Sequence, residues 1–279
     1  MNRLRTGGGI INMSAAQKPK PPQLTHFLCI PLVTAGSRPQ LSQNLASFRD
    51  DVTRPKELGG FELPADAVRP VGTLHLTLGM MSFPNGEGLD RAVEKLRSLR
   101  PREILSSVGG PVMPGAVDEP GTTRAAASPE TADQQQQQQQ QSQVSITLKG
   151  LHSMQKPEKA TILYAPPADP LGILHGFGEK IKAQFKEAGL LAPGDLPLLL
   201  HATVVNTIYV RGRNKHAKKK WERAVIADAQ AIIDRYEDQV WMENVPLDKI
   251  AICRMSAKPV ERGGAVVDAA YEVEAEIDF

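Results

Sequence analysis

The chain has 279 residues, of which 23% are charged and 41% are hydrophobic, and its formal net charge is +2. This length and balance allow a buried core and exclude a collagen, a coiled coil, a wholly disordered chain and a uniformly basic nucleic-acid binder. The two cysteines, Cys29 and Cys253, are too few for a disulfide framework or an all-cysteine zinc site, which favours a reducing compartment. No apolar stretch reaches the ~18 residues that a membrane helix needs, so we expect no membrane partner.

Residues 1–22 predict a disordered tail, because three consecutive glycines and a stretch rich in lysine and proline oppose regular structure. Beyond the tail, short apolar runs and apolar residues spaced three or four apart predict alternating strands and helices. In the first half of the chain these are a strand at 26–33, a helix at 39–52, a strand at 71–81 and a helix at 89–99.

A low-complexity segment follows at about 109–143, with several prolines and glycines and an unbroken glutamine tract at 134–141. Such a segment has almost nothing to bury, so we predict that it is disordered. We interpret it as an insertion within one domain that spans 23–279. The alternative is a linker between two domains.

The second half of the chain repeats the mixture of strands and helices. The predicted elements are strands at 144–151, 160–165, 198–205, 249–255 and 270–279, and helices at 170–188 and 215–236. Trp221 and Trp241 have apolar neighbours and are expected in the core. Because the strands and helices do not alternate strictly, the pattern favours an α+β fold.

Two of the six histidines share one local pattern, in Leu74-His75-Leu76-Thr77-Leu78 and Leu200-His201-Ala202-Thr203-Val204. Side chains alternate between the two faces of a strand. His75 and Thr77 should therefore lie on one face and the leucines on the other, and His201 and Thr203 should do the same. Each unit therefore presents an imidazole and, two residues later, a hydroxyl on one face of a strand whose other face is apolar.

A pair of such units suits phosphodiester cleavage, which needs a base and an acid on opposite sides of phosphorus. Histidine, with an ordinary pKa of ~6.5, can fill both roles near neutral pH. The two hydroxyls can donate hydrogen bonds to the non-bridging oxygens, where charge builds up in the transition state. This chemistry needs no metal or other cofactor. A metal site would need a third ligand that neither unit supplies nearby, and a serine triad would need a Gly-x-Ser-x-Gly turn.

These units resemble the 2H (two-histidine) phosphoesterase superfamily. Within it the chain is most similar to the 2′,5′ RNA ligase-like domain shared by an A-kinase anchoring protein and a subunit of the activating signal cointegrator complex. The segments that carry the resemblance are 25–32, 74–80 and 200–207, and it covers about 24–279. It implies an α+β fold of two pseudo-symmetric lobes, with antiparallel sheets flanking a central cleft. It also implies catalysis by His75 and His201 with Thr77 and Thr203.

Other residues are candidates for substrate binding. His26 and Phe27 lie on the first strand, which lines the cleft in similar proteins, and a base could stack on either ring. Arg211, Arg213 and Lys215 begin a basic run that follows the second motif and could steer phosphates or direct nuclear import. The expected ligand is RNA or a nucleotide, and the expected compartment is the nucleus, the cytoplasm or both.

The expected activity is a metal-independent phosphodiesterase that acts on RNA ends, 2′,5′-linked oligonucleotides or cyclic nucleotide phosphates. The alternative is a nucleotide- or RNA-binding subunit, without turnover, of a transcription-coactivator or repair assembly. Kinase anchoring is less favoured, because the 215–236 segment is better suited to packing on its own sheet than to docking. We take a monomer as the default state.

Overall fold

The computed structural model describes residues 22–108, 144–194, 197–210 and 224–279. These residues form helices and antiparallel strands, as an α+β fold requires. The helices are α1 (Arg38–Thr53), α2 (Leu89–Ser98), α3 (Pro101–Val108), α4 (Leu174–Glu187) and α5 (Ala229–Arg235). The strands are β1 (His26–Pro31), β2 (His75–Met81), β3 (Ser145–Lys149), β4 (His152–Ser153), β5 (Ile162–Ala165), β6 (Pro167–Ala168), β7 (Ala202–Asn206), β8 (Val240–Pro246), β9 (Lys249–Arg254), β10 (Lys258–Arg262), β11 (Ala265–Ala270) and β12 (Val273–Asp278).

The main sheet has seven strands in the order β12-β9-β1-β2-β7-β5-β4. Its centre repeats one unit, a strand, a helix and a motif strand, first as β1-α1-β2 and then as β5-α4-β7. A three-stranded sheet, β6-β3-β8, and the β10-β11 hairpin complete the described strands. The two halves of the chain thus meet at the β2-β7 boundary, as two pseudo-symmetric lobes would.

The core lies on one face of the main sheet. There α1 buries Leu41, Leu45, Phe48 and Val52, whose spacing of three or four places them on one side of a helix. α4 buries its own apolar side in the same way. The motif strands contribute Leu76, Leu78, Ala202 and Val204 to this core. The opposite face of the sheet bears His75 and His201 beside a smaller buried cluster that includes Phe27 and Cys29.

The predicted strand at 71–81 begins later than expected. Residues Val71–Thr73 form a short 3-10 turn, in which the Leu74 amide donates to the Val71 carbonyl at 3.1 Å. The Thr73 hydroxyl also donates to the Pro70 carbonyl at 2.7 Å. β2 therefore starts at His75, directly after this turn.

The predicted helix at 215–236 is wrong over much of its described length. Only Ala229–Arg235 is helical, and residues 215–223, which include Trp221, lie outside the described part of the chain. The Ile226 amide donates to the Ala160 carbonyl at 2.8 Å, which ties this segment to the start of β5. Because the Ile226 amide is used in this tertiary hydrogen bond, it does not make the intrahelical hydrogen bond that the predicted helix would require.

Several elements were not expected from the sequence. They are α3, β8, the β10-β11 hairpin and the two-residue strands β4 and β6. In β8 the positive φ of 47° at Asn244 breaks the alternation of buried and exposed residues that marks a strand. Trp241 on this strand is 1% exposed, as predicted for a core residue, and its indole nitrogen donates to the Gly150 carbonyl at 2.8 Å.

The predicted tail and the glutamine-rich insertion both fall almost wholly outside the described residues, so they stay predictions. In the part of the chain that is described, no helix combines the length and apolar character that crossing a bilayer requires.

Candidate active site

The two motif strands meet at one residue pair. β2 and β7 run antiparallel and pair through Leu76 and Ala202, both fully buried in the core. Extending this register by one residue sets His75 across from Thr203, and His201 across from Thr77. These four side chains are half-buried and lie on the sheet face opposite to the core, since side chains alternate along a strand. The structure therefore brings the four predicted catalytic residues together.

A local two-fold axis through the Leu76–Ala202 pair relates the two motifs. The flanking strands extend this symmetry, because β1 pairs with β2 as β5 pairs with β7, and each pairing carries a bulge at the same position. The equivalent pairs are Cys29–Thr77 with Tyr164–Thr203, and Leu28–Gly79 with Leu163–Val205. The extra residue is Leu78 in β2 and Val204 in β7, so both strands bend just beyond their threonine.

Both imidazoles are anchored by their own backbone. The Nδ1 atom of His75 is 2.8 Å from the Thr73 carbonyl oxygen, and that of His201 is 2.7 Å from the Leu199 carbonyl oxygen. A carbonyl oxygen can only accept, so Nδ1 carries the proton in each ring. In a neutral ring Nε2 is then the unprotonated nitrogen, able to accept a proton from a substrate. Each histidine thus presents the same atom for acid or base chemistry.

The surroundings of His75 are apolar and aromatic. Its ring stacks on Phe27 with 4.6 Å between the centroids and meets the Tyr271 ring edge-on at 5.4 Å. Burial, with smaller contributions from the charges of His201 and Arg69, lowers the pKa of His75 to about 4, although the hydrogen bond to Thr73 opposes the shift. His75 is consequently neutral over the physiological pH range.

His201 has a different neighbour. Its ring meets Tyr164 edge-on, with 5.4 Å between the centroids and 68° between the planes. Tyr164 lies on β5 opposite Thr203, and its other side stacks on His152 at 5.8 Å. The two-fold symmetry of the backbone is therefore broken by the side chains around each histidine.

The threonines occupy equivalent places beside the histidines. Each is half-buried, and within the described part of the chain no hydrogen bond occupies either hydroxyl. Two hydroxyls that lie near two Nε2 atoms can donate to one tetrahedral anion such as a phosphate. The arrangement provides an acid, a base and two neutral donors on one sheet face.

Phe27 and His26 belong to opposite faces of β1. Phe27 is 3% exposed and supports His75 from beneath, so it is covered rather than open for base stacking. The His26 ring is also 3% exposed, and its nitrogens lie 2.9 Å from Thr25 Oγ1 and 3.3 Å from Glu274 Oε1. The structure does not bring His26 to the histidine pair. Its prediction as a cleft residue overlooked the alternation of strand faces, which places it with the buried side.

The remaining predicted binding residues, Arg211, Arg213 and Lys215, lie outside the described residues. Sequence reasoning did not single out Tyr164, Tyr271 or Arg69, which surround the pair. Tyr271 belongs to the alternating pattern at the end of the chain, which groups it with Ala275 and Ile277 on the core side. The irregularity between Val273 and Ala275 moves it to the face that bears His75, so the pattern alone could not have placed it there. Arg69 lies in a Pro-containing turn without hydrophobic periodicity, so no sequence pattern marked it as a site residue. Among the described side chains, no three His, Cys, Asp or Glu residues are grouped as metal ligands would be.

Residues 24–279 match the family described as the AKAP7 2′5′ RNA ligase-like domain. The chain belongs to this family. The match covers nearly all of the sequence, and the family is a branch of the 2H phosphoesterases, so the resemblance seen in the two histidine motifs is confirmed. Membership assigns the chain in general terms to phosphoesterase-type enzymes.

Individual relatives are distant. An uncharacterized protein of Schizosaccharomyces pombe is 24% identical over 232 residues, which cover 83% of this chain and 86% of that protein. Escherichia coli LigT, solved with NADP+, has a TM-score of 0.41 at 13% identity and covers 92% of this chain and 98% of its own. TT0787 of Thermus thermophilus has a TM-score of 0.45 at 13% identity, with 91% and 97% covered. Kluyveromyces marxianus Usb1 has a TM-score of 0.36 at 12% identity, with 82% and 92% covered.

Proposed function

We propose that the chain is a metal-independent phosphodiesterase that acts on RNA ends, 2′,5′-linked oligonucleotides or cyclic nucleotide phosphates. The observation that carries this proposal is the pair of imidazoles across the Leu76–Ala202 pair, each held by Nδ1 with Nε2 directed away from its backbone anchor. Family membership supports phosphoester chemistry in general. The geometry supports a reaction in which one ring acts as the base and the other as the acid on the same phosphate.

In this mechanism His75 is the base. Its ring is neutral because burial lowers its pKa to about 4, and its Nε2 can therefore take the proton of an attacking hydroxyl or water. The oxygen of that group forms a bond to phosphorus while the bond to the leaving oxygen breaks. His201, when protonated, donates its Nε2 proton to the leaving oxygen. This assignment rests on the different neighbours of the two rings, since their backbone anchors are the same.

Thr77 and Thr203 would bind the non-bridging oxygens. Both hydroxyls lie on the face that bears the imidazoles, and a donor that reaches an oxygen as its charge increases lowers the barrier. The same four residues could also bind a phosphate without turnover, which is the alternative of a binding subunit. Turnover itself separates these two functions.

The test is cleavage of a small substrate panel in the presence of EDTA. The panel holds a 2′,5′-oligoadenylate, a 3′,5′-oligouridylate and a nucleoside 2′,3′-cyclic phosphate, and the variants are His75→Ala and His201→Ala. Loss of a general acid or base costs ~10²–10⁴ in rate, so both variants should be nearly inactive. His175→Ala is the matched control, because that ring bonds the Leu198 carbonyl at 3.2 Å and is not part of the pair.

Turnover that survives EDTA and disappears in both variants would support the proposed mechanism and name the linkage. Cleavage that continues at a normal rate in both variants would refute it. Binding of a nucleotide with no turnover of any substrate would favour the binding subunit instead.

A further inference from the structure

Arg69 is a buried cation beside the motif strand β7. It is 7% exposed, and its backbone amide donates to the Val204 carbonyl at 2.8 Å. The preceding residue, Val68, pairs with Val205 in an antiparallel bridge. The backbone at Arg69 is therefore fixed next to the strand that carries Thr203.

The guanidinium of Arg69 is held by aromatic side chains. Its Cζ lies 3.8 Å from the centre of the Tyr209 ring, and its Nη2 lies 3.4 Å from the Tyr271 hydroxyl oxygen. Burial, with a contribution from Tyr209, raises the pKa of Tyr271 to about 12, although Arg69 opposes the shift. Tyr271 is therefore a neutral hydroxyl at physiological pH, and neither aromatic residue supplies a negative charge.

No carboxylate balances this charge within the described residues. Asp268, which lines a surface groove together with Arg69, accepts from the Arg38 guanidinium at 2.8 Å and from the Gly72 amide at 3.0 Å. A buried cation is costly unless an anion pairs with it, so Arg69 calls for an anion that does not belong to the described residues.

The position of Arg69 relates this anion to the active site. Tyr271 contacts both the Arg69 guanidinium and the His75 ring, and the charge of Arg69 reaches His75. Arg69 and Tyr209 also line a groove of about 1240 Å³ that runs between α1 and the β10-β11 hairpin. Three further arginines and three aspartates line the same groove: Arg38, Arg49, Arg262, Asp50, Asp66 and Asp268. An anion at Arg69 would lie beside the histidine pair and could be reached from this groove.

We propose that Arg69, held between Tyr209 and Tyr271, binds a second phosphate of the substrate, next to the phosphate on which the histidines act. This inference rests on the proposed function and narrows its substrate class. The preferred substrate is an oligonucleotide or an RNA end that carries a further phosphate, and a nucleoside cyclic phosphate with a single phosphate is a poor one.

The test compares two ligands that differ by one phosphate, adenosine 5′-monophosphate and adenosine 3′,5′-bisphosphate. Their affinities are measured by isothermal titration calorimetry for the wild type, Arg69→Met and Arg262→Met. The wild type should prefer the bisphosphate by about 10- to 100-fold, the range of a charge-assisted hydrogen bond in a buried site. Arg69→Met should lose this preference and keep its affinity for the monophosphate.

Arg262→Met makes the same substitution in the same groove at an exposed residue, so it should keep the preference. Thermal melting supplies a second readout. Methionine replaces an unpaired buried charge with an apolar side chain of similar length, so the melting temperature of Arg69→Met without ligand should be equal to that of the wild type or higher. Adenosine bisphosphate should raise the melting temperature of the wild type more than that of the variant.

Each other outcome overturns the inference. Equal weakening of both ligands would place Arg69 on the phosphate that the histidines bind. If the wild type binds both ligands equally well, it has no second phosphate site. If Arg69→Met melts at a much lower temperature than the wild type, the role of the arginine is structural. Because these readouts measure binding and stability, a protein that cleaves no substrate would refute the proposed function without deciding this one.

Discussion

His75 and His201 have the same backbone anchor and different neighbours. Phe27 and Tyr271 enclose His75, whereas His201 contacts Tyr164 on the other side of the local two-fold axis. The apolar enclosure determines which ring stays neutral, because it disfavours the charged form of His75. At the scale of the residue, the electrostatic difference between two like groups comes from their surroundings.

Removing the stacked ring should therefore change the titration of His75. In Phe27→Ala water reaches the imidazole, and we expect its pKa to rise from about 4 toward the ordinary ~6.5. The measurement is an NMR titration of the His75 ring proton. His175 in the same sample is the internal control, and an unchanged His75 titration would show that Phe27 does not cause the shift.

The two hydroxyls should contribute equally to turnover. Thr77→Val and Thr203→Val remove one donor each and keep the shape of the side chain. If both oxygens of the phosphate are bound in the transition state, each variant should lose about 10²-fold in kcat. Thr53→Val, at the end of α1, is the control. A loss in one variant only would mean that the substrate uses the two halves unequally.

The pattern of a histidine followed two residues later by a threonine could be predicted because it depends on local alternation alone. His75, Thr77, His201 and Thr203 are all on the expected face, with Leu76 and Ala202 behind them. Arg69 could not be found in this way. Its role comes from contacts with Tyr209 and Tyr271, which are 140 and 202 residues away along the chain.

At the scale of the element, errors arise where a tertiary contact overrides a local pattern. Ile226 continues the apolar spacing of the predicted helix, yet its amide donates to the Ala160 carbonyl and residues 224–228 are not helical. β8 was missed for the opposite reason, since Asn244 interrupts an alternation that the strand otherwise follows. The long helices α1 and α4 were predicted well, because their apolar spacing and their packing agree.

Two side chains of α1 hydrogen-bond β8: Gln40, whose Oε1 accepts from the Glu243 amide at 2.8 Å, and Asn44. The Asn44 amide nitrogen donates to the carbonyls of Val240 and Trp241 at 3.1 and 2.9 Å. Asn44→Ala should lower the free energy of unfolding by about 1–3 kcal/mol, since both carbonyls lose the bond from Asn44 and only the Val240 carbonyl keeps another side-chain donor, Gln239. Chemical denaturation measures this change. Gln43→Ala, its exposed neighbour, should have no effect, and phosphodiester cleavage should be normal in both variants, because β8 lies outside the active site.

At the scale of the whole molecule, the pKa of His75 links the active site to stability. Between pH 6.5 and 4 the unfolded chain binds a proton at this residue and the folded chain does not, so the free energy of unfolding falls as the pH falls. Replacing His75 with Gln should reduce this slope by up to about 1.4 kcal/mol per pH unit. Urea denaturation at several pH values measures it.

His175→Gln is the control for that experiment and should leave most of the slope in place. An identical slope in the wild type and in His75→Gln would mean that His75 titrates normally in the folded protein. The experiment needs no substrate, so it examines the electrostatics of the site independently of the proposed reaction.

The local two-fold axis has a consequence for strand polarity. A nucleic acid strand has a direction, whereas the backbone that supports His75, His201 and their threonines is nearly unchanged by a half-turn about the Leu76–Ala202 pair. The backbone of the two motifs by itself would accept a nucleic acid strand in either direction. The direction must be set by the side chains that break the symmetry, Phe27, Tyr271 and Arg69 on one side and Tyr164 on the other. A few substitutions outside the four motif residues could therefore reverse the strand direction that such a site prefers without altering the fold.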